Sequence, residues 1–450
     1  MRKQINMTEG PLFQSIIAYA IPIILTSVLQ LLFNAADLIV VGQFCGANSV
    51  GAVGATNSLT SLLTVLFIGL SVGSGVTTAQ ATGAKNEGAV KRTVHTSVAV
   101  ALTCGVIVSI LGFFASKSLL HLMGTPDDII NLSAVYMKIY FSGAIFLLTY
   151  NFGAAILRAV GETQKPLLYL AVSGVLNVVL NIIFVTIFHM DVAGVALATM
   201  LSQALSSVLV IIELIRRRDA CRLILKEVRF HKIETIKILK IGIPTGIQST
   251  IFNISNVLIQ SGVNSFGVAA VSGNAASASL EGFTYVSMNA FLQTSMNFTG
   301  QNIGARKPER VKRIFFLCTV LAAVVGFIIG ATTYLFGRPL LSIYVGDDAA
   351  AIECGMIKLM WVALPYFICG IMESTTGILR GMGASIAPML SAISGVCIFR
   401  IGWQLTVFRL PAFHSLTGLF MSYPMSWVTT GVANIIVYSV LIKKLTKKSG

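Results

Sequence analysis

The 450-residue chain has little charge, since only 11% of its residues are Asp, Glu, Lys or Arg, against about 25% in a typical soluble domain. Tryptophan and histidine are scarce as well, with three and five residues. Hydrophobic residues make up 55% of the chain. This composition excludes an ordinary soluble domain and indicates a membrane protein.

The chain also lacks the motifs of several enzyme classes. Its seven cysteines are scattered without the spacing of a disulfide framework or a metal site, and we expect them to pack as small apolar side chains. The five histidines form no HExxH pair, and there is no GxxxxGKS or GxxxxGKT phosphate loop. We therefore expect neither an enzyme nor an ATP-driven pump, and no cofactor.

Long apolar segments, in contrast, are abundant. A helix needs about 20 apolar residues to cross the hydrocarbon core of a bilayer. The sequence predicts twelve such helices, at about residues 15–42, 50–80, 93–115, 131–157, 166–188, 193–215, 236–263, 268–300, 314–336, 355–379, 386–408 and 415–442. The predicted fold class is an all-α polytopic membrane protein embedded in the lipid bilayer, with no soluble domain.

Basic residues are concentrated in alternate connections between these helices. One set of connections, which includes both termini, holds 26 of the 32 Lys and Arg residues. The other set holds five, among them Lys358, and Arg400 falls inside a predicted helix. By the positive-inside rule both termini are cytoplasmic, beginning with Arg2 and Lys3. The net charge of +15 is then explained without nucleic acid, and we expect no nucleic-acid partner.

The two halves of the sequence repeat each other at a nearly constant shift, which places Pro22 on Pro244. AIPIILTSV is echoed by GIPTGIQST, QATGAKNEGAVKR by QNIGARKPERVKR, and ILRAVGETQKP by ILRGMGASIAP. Six helices per half bring both halves into the membrane in the same sense, which defines parallel repeats. We predict an N-terminal lobe at 1–215, a cytoplasmic linker at 216–237 and a C-terminal lobe at 238–450.

Three acidic residues lie deep inside predicted helices: Asp37, Glu281 and Glu373. A charged side chain at the bilayer centre costs about 2.5–3.5 kcal/mol on insertion scales, so such residues usually mark ion or substrate paths. Gln30, Asn34 and Asp37 share one face of the first helix because they are spaced by four and three residues. This face predicts a polar cavity beside the first helix.

Amide and hydroxyl side chains extend this pattern. Asn177 and Asn181 lie one turn apart on helix five, and Thr199 lies one turn before Gln203 on helix six. Their oxygens suit a hard cation or a protonated carboxyl group. The alternative is that the amides only hold helices together through interhelical hydrogen bonds. The candidates for the substrate cavity in the second half are Gln248, Asn256, Glu281 and Glu373.

The repeat provides a comparison for these positions. At the repeat shift Asn34 corresponds to Asn256, whereas Asp37 corresponds to Ile259. A residue needed only for the fold should be present in both halves, while a coupling site need exist in one. This asymmetry favours a functional interpretation of Asp37.

The double repeat, the helix-one pattern of Pro22, Gln30 and Asp37, and the QNIGARKPER and LRGMG turns resemble the multidrug and toxic compound extrusion (MATE) family over essentially the whole chain. The resemblance is greatest to bacterial members that keep their essential acid in the first half. It implies two six-helix lobes that export amphipathic, often cationic, compounds in exchange for protons or Na⁺ by alternating access. It also implies coupling at Asp37 beside Asn177 and Thr199, and hinges at Pro22 and Pro244.

The chain departs from this family pattern at Asn181, where many members have a second Asp. One carboxylate neutralises one proton or one Na⁺ but holds Na⁺ less strongly than two carboxylates. We therefore favour the proton as the coupling ion. The alternative is a Na⁺ ion bound by Asp37, Asn177, Asn181 and Thr199.

A second candidate function is that of a lipid-linked saccharide flippase or polysaccharide exporter of the same superfamily. A basic cavity would favour such anionic cargo, whereas the deep positions identified in this chain are acidic or neutral. We therefore expect small amphipathic cations as substrates. The remaining expectations are a monomer and a place in the bacterial cytoplasmic membrane.

Overall fold

The computed structural model describes residues 4–449, so Arg2 and Lys3 lie outside the described residues. This part of the chain is almost entirely helical and contains no β-strand. The helices of the first half are α1 (Leu12–Phe44), α2 (Ala47–Gly83), α3 (Glu87–Leu122), α4 (Asp127–Ser142), α5 (Ala144–Ala159), α6 (Gln164–Ile182) and α7 (Asp191–Arg216).

The second half contains ten α-helices between residue 232 and residue 449. They are α8 (Lys232–Asn264), α9 (Val268–Gly304), α10 (Pro308–Leu335), α11 (Gly337–Val345), α12 (Ala349–Lys358), α13 (Tyr366–Gly381), α14 (Ile386–Ala392), α15 (Phe399–Leu405), α16 (Leu416–Phe420) and α17 (Ser422–Ser449). Short π-helical segments follow α6 at Ile183–Ile187 and α12 at Leu359–Ala363, and a third joins α14 to α15 at Ile393–Ile398.

Within the described residues these helices account for the twelve predicted spans. Eight are long and apolar enough to cross a membrane alone, and two bent pairs, α4 with α5 and α12 with α13, raise the number to ten. The other two spans are α8 and α9, with 33 and 37 residues. Their many Ser, Thr, Asn and Gly residues lower the hydropathy, and most of those on α9 are buried. The all-α polytopic fold is therefore confirmed.

Two predicted spans are not the single straight helices that the sequence indicated. The span at 131–157 is bent by 45° at Gly143, and the span at 355–379 is bent by 42° just before Tyr366. A Cβ atom on Gly143 would lie 2.8 Å from the Cγ atom of Met200, so glycine permits close packing at that bend. At the second bend Pro365 lacks an N–H group and cannot continue the helical hydrogen bonds.

Two GxxxG segments bring α2 and α8 into close contact. They are Gly69–Gly73 on α2 and Gly242–Gly246 on α8. A Cβ atom on Gly73 would lie 2.2 Å from the carbonyl oxygen of Ile238, and one on Gly69 would lie 2.4 Å from the amide nitrogen of Gly246. Only glycine fits at such a crossing, where close backbone approach replaces the hydrophobic effect as a source of stability in lipid.

The chain forms two compact units, and neither is one continuous half of the sequence. Unit 1 comprises Met1–Ile5 and Leu25–Gly246, and unit 2 comprises Asn6–Ile24 and Ile247–Gly450. The chain passes from one unit to the other three times: after Ile5, inside α1 two residues after Pro22, and inside α8 two residues after Pro244. The predicted lobes, 1–215 and 238–450, follow the repeat and stay a prediction.

The linker at 216–237 packs against α3 within unit 1. Between the end of α7 at Arg216 and the start of α8 at Lys232 its backbone is irregular, apart from one short 3₁₀ turn at Leu225–Glu227. The Ile224 amide donates a 3.0 Å hydrogen bond to Nε2 of the buried His95. Glu227 pairs with Lys91 at 2.8 Å, which lowers the pKa of the Glu227 carboxyl. These contacts hold the linker against unit 1.

Candidate functional site

Three helices of unit 1 bring the predicted coupling residues together. Asp37 lies in the last third of α1, Asn177 and Asn181 lie near the end of α6, and Thr199 lies in the third turn of α7. Both amides are buried, with 4% and 0% of their surface exposed. Side chains from three separate helices therefore meet in one polar cluster.

Asp37 is the acidic centre of this cluster. Nδ2 of Asn181 donates a 2.5 Å hydrogen bond to Oδ1 of Asp37, and the hydroxyl of Thr199 lies 3.4 Å from Oδ2. Nδ2 of Asn177 lies 3.4 Å from the same hydroxyl. The four side chains thus form one connected hydrogen-bonded group, as expected for polar atoms removed from water.

The carboxylate of Asp37 has no basic partner. Across residues 4–449, no Lys, Arg or His side chain forms an ion pair with it. Its hydrogen bonds come from the neutral side chains of Asn181 and Thr199. A half-buried carboxylate held only by neutral donors keeps an uncompensated negative charge, which a proton or a cation neutralises.

A cavity of about 120 Å³ opens beside this cluster. Its polar wall includes Gln30, Asn34 and Gln203 as well as Asp37, and the ring of Phe33 contributes an apolar face. A Cβ atom on Gly174, another lining residue, would lie 1.8 Å from the Phe33 ring, so α1 packs closely on α6. The polar face predicted for the first helix therefore lines a cavity.

Two of the residues predicted in the second half line a different cavity, within unit 2. Asn256 and Glu281 contribute to this space of about 360 Å³. Lys358 and Arg400 line it too. The expectation that the deep positions are acidic or neutral was wrong, because Lys358 is 4% exposed and Arg400 is 1% exposed. Lys358 therefore lies buried at the end of α12 and not in a connection between helices.

The structure places Gln248 and Glu373 elsewhere. Neither residue lines the cavity beside Asp37 or the one beside Arg400. Oε1 of Gln248 accepts a 3.0 Å hydrogen bond from Arg380, which is itself buried in the last turn of α13. A buried guanidinium needs acceptors of this kind, so a supporting role explains Gln248 without any substrate contact.

Pro22 and Pro244 both lie inside helices, in α1 and α8. Neither helix is interrupted there, since α1 continues through Pro22 and α8 continues through Pro244. Their role as hinges stays a prediction.

Sequence reasoning missed Lys358 and Arg400 as site residues. Arg400 had a usable signal, since it is a basic residue inside a predicted helix, and the rule that selected Asp37 applies equally to basic side chains. Lys358 lies three residues inside the predicted span at 355–379. Counting along the sequence assigned the residue to a connection, whereas the structure buries it at the end of α12.

Within the described residues there is no group of three His, Cys, Asp or Glu side chains that is able to hold a metal ion. A Na⁺ site at Asp37 would therefore consist of one carboxylate and neutral oxygens. Oδ1 of Asn181 is buried and makes no hydrogen bond among the described residues, so it is the oxygen available for such a role.

Comparison with known proteins agrees with the repeat and the fold. The model of the MatE family matches residues 22–183 and residues 244–405. The two matches begin at Pro22 and at Pro244, the pair that the sequence repeat aligns. Together they cover more than half of the chain, and the chain belongs to the MatE family.

Relatives and solved structures cover the chain from end to end. It is 28% identical to "Probable multidrug resistance protein YpnP" of Bacillus subtilis, over 97% of each chain. It is 22% identical to "Multidrug export protein MepA" of Staphylococcus saprophyticus, over 97% of this chain and 96% of that protein. A crystal structure of a MATE protein in the bent conformation superposes with a TM-score of 0.92 at 21% identity, over 100% of this chain and 99% of the other. The protein is thus a multi-pass membrane transporter and not an enzyme.

Proposed function

We propose that this protein is a secondary active exporter of amphipathic, cationic drugs or toxic compounds. It exchanges them for protons or Na⁺ by alternating access, and Asp37 is the coupling group. The names of the relatives, which describe multidrug resistance and multidrug export, support the export of such compounds. The observation that carries the proposal is the half-buried carboxylate of Asp37, which has neutral donors and no basic partner among the described residues.

A single charge is enough for exchange at this site. When Asp37 is ionised it attracts a lipophilic cation into the cavity, and when it takes up a proton that attraction is lost. Substrate and proton therefore occupy the site in turn. Phe33, Leu147 and Leu170 give the cavity apolar walls, which suit the varied hydrophobic bodies of such compounds.

The arrangement of donors supports the proton as the coupling ion. Asn181 directs a hydrogen-bond donor toward Oδ1 of Asp37, whereas Na⁺ requires oxygen lone pairs directed at the ion. When the Thr199 hydroxyl donates to the carbonyl oxygen of Val195, at 3.0 Å, its own oxygen is able to accept a hydrogen bond from a protonated Asp37, whose Oδ2 lies 3.4 Å away. A Na⁺ ion held by Asp37, Asn177, Asn181 and Thr199 would need the Asn181 amide to turn its free Oδ1 inward. A proton needs no such rearrangement.

Export of lipid-linked saccharides is the less favoured function. The basic side chains of Lys358 and Arg400 give an anionic cargo some attraction that the sequence did not indicate. The MatE match and the drug-export names of full-length relatives favour the drug exporter. The proposal includes cytoplasmic termini, a bacterial cytoplasmic membrane and a monomer.

The test is transport in proteoliposomes that carry a pH gradient or a Na⁺ gradient separately, with ethidium as the cationic substrate. We expect the pH gradient to drive ethidium transport and the Na⁺ gradient alone to leave it unchanged. Exchange of one proton for one monovalent cation moves no net charge, so a potential of 100 mV, worth about 2.3 kcal/mol per charge, should add nothing. Transport driven by Na⁺ alone would overturn the proton assignment.

Asp37→Asn should abolish gradient-driven transport while the protein stays folded, because the amide cannot exchange a proton. Asp128→Asn is the matched control, since Asp128 lies on the exposed first turn of α4. Folding is checked by gel filtration and helical circular dichroism. Active ethidium transport by the Asp37→Asn protein would contradict the proposal.

A further inference from the structure

The cavity of unit 2 has the dimensions and walls of a ligand site. Its volume of about 360 Å³ lies in the range of small-molecule pockets, which begins at about 300 Å³. Aromatic side chains form much of its wall. They are Phe252, Tyr285, Tyr366, Tyr423 and Trp427.

Arg400 supplies this cavity with a buried cation that has spare donors. Its Nε donates to the hydroxyl of Ser426 at 3.0 Å, and its Nη1 donates to Oδ1 of Asn256 at 3.2 Å. Its Nη2 is buried and has no hydrogen-bond partner among the described residues. The guanidinium carbon lies 4.1 Å from the centre of the Tyr423 ring. All of these partners are neutral, and Arg400 forms no ion pair within residues 4–449.

Lys358 and Glu281 do not cancel this charge. Nζ of Lys358 lies 3.4 Å from Oε1 of Glu281 and 3.4 Å from the carbonyl oxygen of Asn274. One acid therefore faces two bases in the lining, which leaves one net positive charge. Burying an uncompensated charge is costly, and a guanidinium with a free N–H group is relieved by a carboxylate, which it binds through two parallel hydrogen bonds.

We propose that the cavity of unit 2 binds the carboxylate of a small aromatic organic acid. The free Nη2 of Arg400 donates to the carboxylate, and the Lys358 ammonium adds a second charge contact. The aromatic body packs among Tyr366, Tyr423 and Trp427. This inference concerns binding alone, so it does not depend on which ion drives export or on whether Asp37 is the coupling group.

The experiment is isothermal titration calorimetry with the full-length protein in lipid nanodiscs. The probes are 1-naphthoate, its neutral analogue 1-naphthamide and the cation 1-naphthylmethylammonium, which share one aromatic body and differ in charge. We expect naphthoate to bind at least about tenfold more tightly than the amide, which corresponds to about 1.4 kcal/mol for a charge-assisted contact. Equal binding of naphthoate and naphthamide would overturn the proposal, and so would tighter binding of the cation than of naphthoate to the Asp37→Asn protein, whose first cavity has lost its charge.

Variants test whether naphthoate binds in this cavity and whether the cavity favours a negative charge. Arg400→Gln should weaken naphthoate binding about tenfold or more, because the charge-assisted hydrogen bond is lost. The matched control Arg338→Gln should change nothing, since Arg338 lies on the surface of unit 2 and is 64% exposed. An unchanged affinity for naphthoate in Arg400→Gln would exclude this cavity as the site.

Glu281→Gln tests whether the cavity of unit 2 binds an anion even if Arg400→Gln fails to fold. Removing the competing carboxylate should tighten naphthoate binding several-fold if the anion lies in this cavity, whereas an unchanged affinity for naphthoate would exclude the cavity as its site. Lys358→Gln should act in the opposite direction and weaken naphthoate binding. If Glu281→Gln weakens the binding of naphthoate, the cavity is not an anion site and the proposal is wrong.

Discussion

The cavity beside Asp37 and the cavity beside Arg400 belong to units that are built from repeated sequence, yet their charges are opposite. The first contains one carboxylate with neutral donors, and the second contains two basic side chains and one acid. They also differ in size, at about 120 Å³ and about 360 Å³. The repeat thus preserves the helical frame while the charged positions differ.

Residue pairs show where the halves diverge. At the shift that places Pro22 on Pro244, each member of the Asp37 cluster corresponds to an apolar residue of the second half. The pairs are Asp37 with Ile259, Asn177 with Phe399, Asn181 with Trp403 and Thr199 with Met421. In the reverse direction Glu281, Lys358 and Arg400 correspond to Leu59, Tyr136 and Val178. A buried charge is tolerated only where neighbouring polar or oppositely charged groups contact it, so each unit has its own charged side chains and its own partners for them.

The largest effect should come from filling the smaller cavity. Gly174→Leu would place side-chain atoms where the Phe33 ring now lies, and the ring would have to move into the space of about 120 Å³. We expect ethidium transport in proteoliposomes to be lost. The matched control is Gly54→Leu, because Gly54 is an exposed position of α2 with no atom within 4 Å of an added Cβ, and it should transport normally. Normal transport by Gly174→Leu would show that this cavity is not on the substrate path.

The second prediction reverses the charge of the larger cavity. The double variant Lys358→Gln with Arg400→Gln leaves Glu281 as the only charged side chain that lines it among the described residues. Unit 2 then resembles unit 1 in charge. When both proteins also carry Asp37→Asn, which removes the charge of the first cavity, naphthylmethylammonium should bind about tenfold more tightly with the two substitutions in unit 2 than without them, for a charge contact worth about 1.4 kcal/mol. Calorimetry measures the change, and a folded double variant with an unchanged preference for naphthoate would contradict the charge comparison.

The smallest predicted effect sharpens the comparison inside the first cavity. Asn181→Asp places a second carboxylate next to Asp37, at the position where Asn181 now donates a 2.5 Å hydrogen bond. Two adjacent carboxylates repel each other unless a cation or a proton lies between them, so Na⁺ binding should strengthen. We expect Na⁺ to stimulate ethidium transport several-fold in this variant and to have no effect on the unmodified protein.

The matched control for this substitution is Asn177→Asp, one turn earlier on the same helix. The Asn177 amide lies 3.4 Å from the Thr199 hydroxyl, and its Oδ1 lies 3.4 Å from Nδ2 of Asn181, whereas Asn181 itself makes the 2.5 Å hydrogen bond to Asp37. A weaker response to Na⁺ is expected there because the added charge lies farther from Asp37. An equal response in both variants would indicate that net charge alone, and not the position beside Asp37, determines the ion.

The sequence by itself determined the membrane class, the twelve spans and the repeat of the two halves, and it identified Asp37 as the candidate coupling residue. These properties are local or follow from comparing the chain with itself: hydropathy over about 20 residues identifies a span, and helical spacing identifies a face. The resemblance added Asn177 and Thr199 as the residues beside Asp37.

Only the tertiary structure decided which side chains meet. The contact of Asp37 with Asn181 joins residues 144 positions apart, and it depends on how α1 and α6 are rotated about their axes. The same holds for Gln248, which lines neither cavity and accepts a hydrogen bond from Arg380, 132 positions later in the sequence. The burial of Lys358 likewise appears only in the packed structure, where its Nζ lies 3.4 Å from Oε1 of Glu281 on α9. Periodicity along one helix carries no information about the helix opposite, so the charge of the second cavity appears only once the helices are packed.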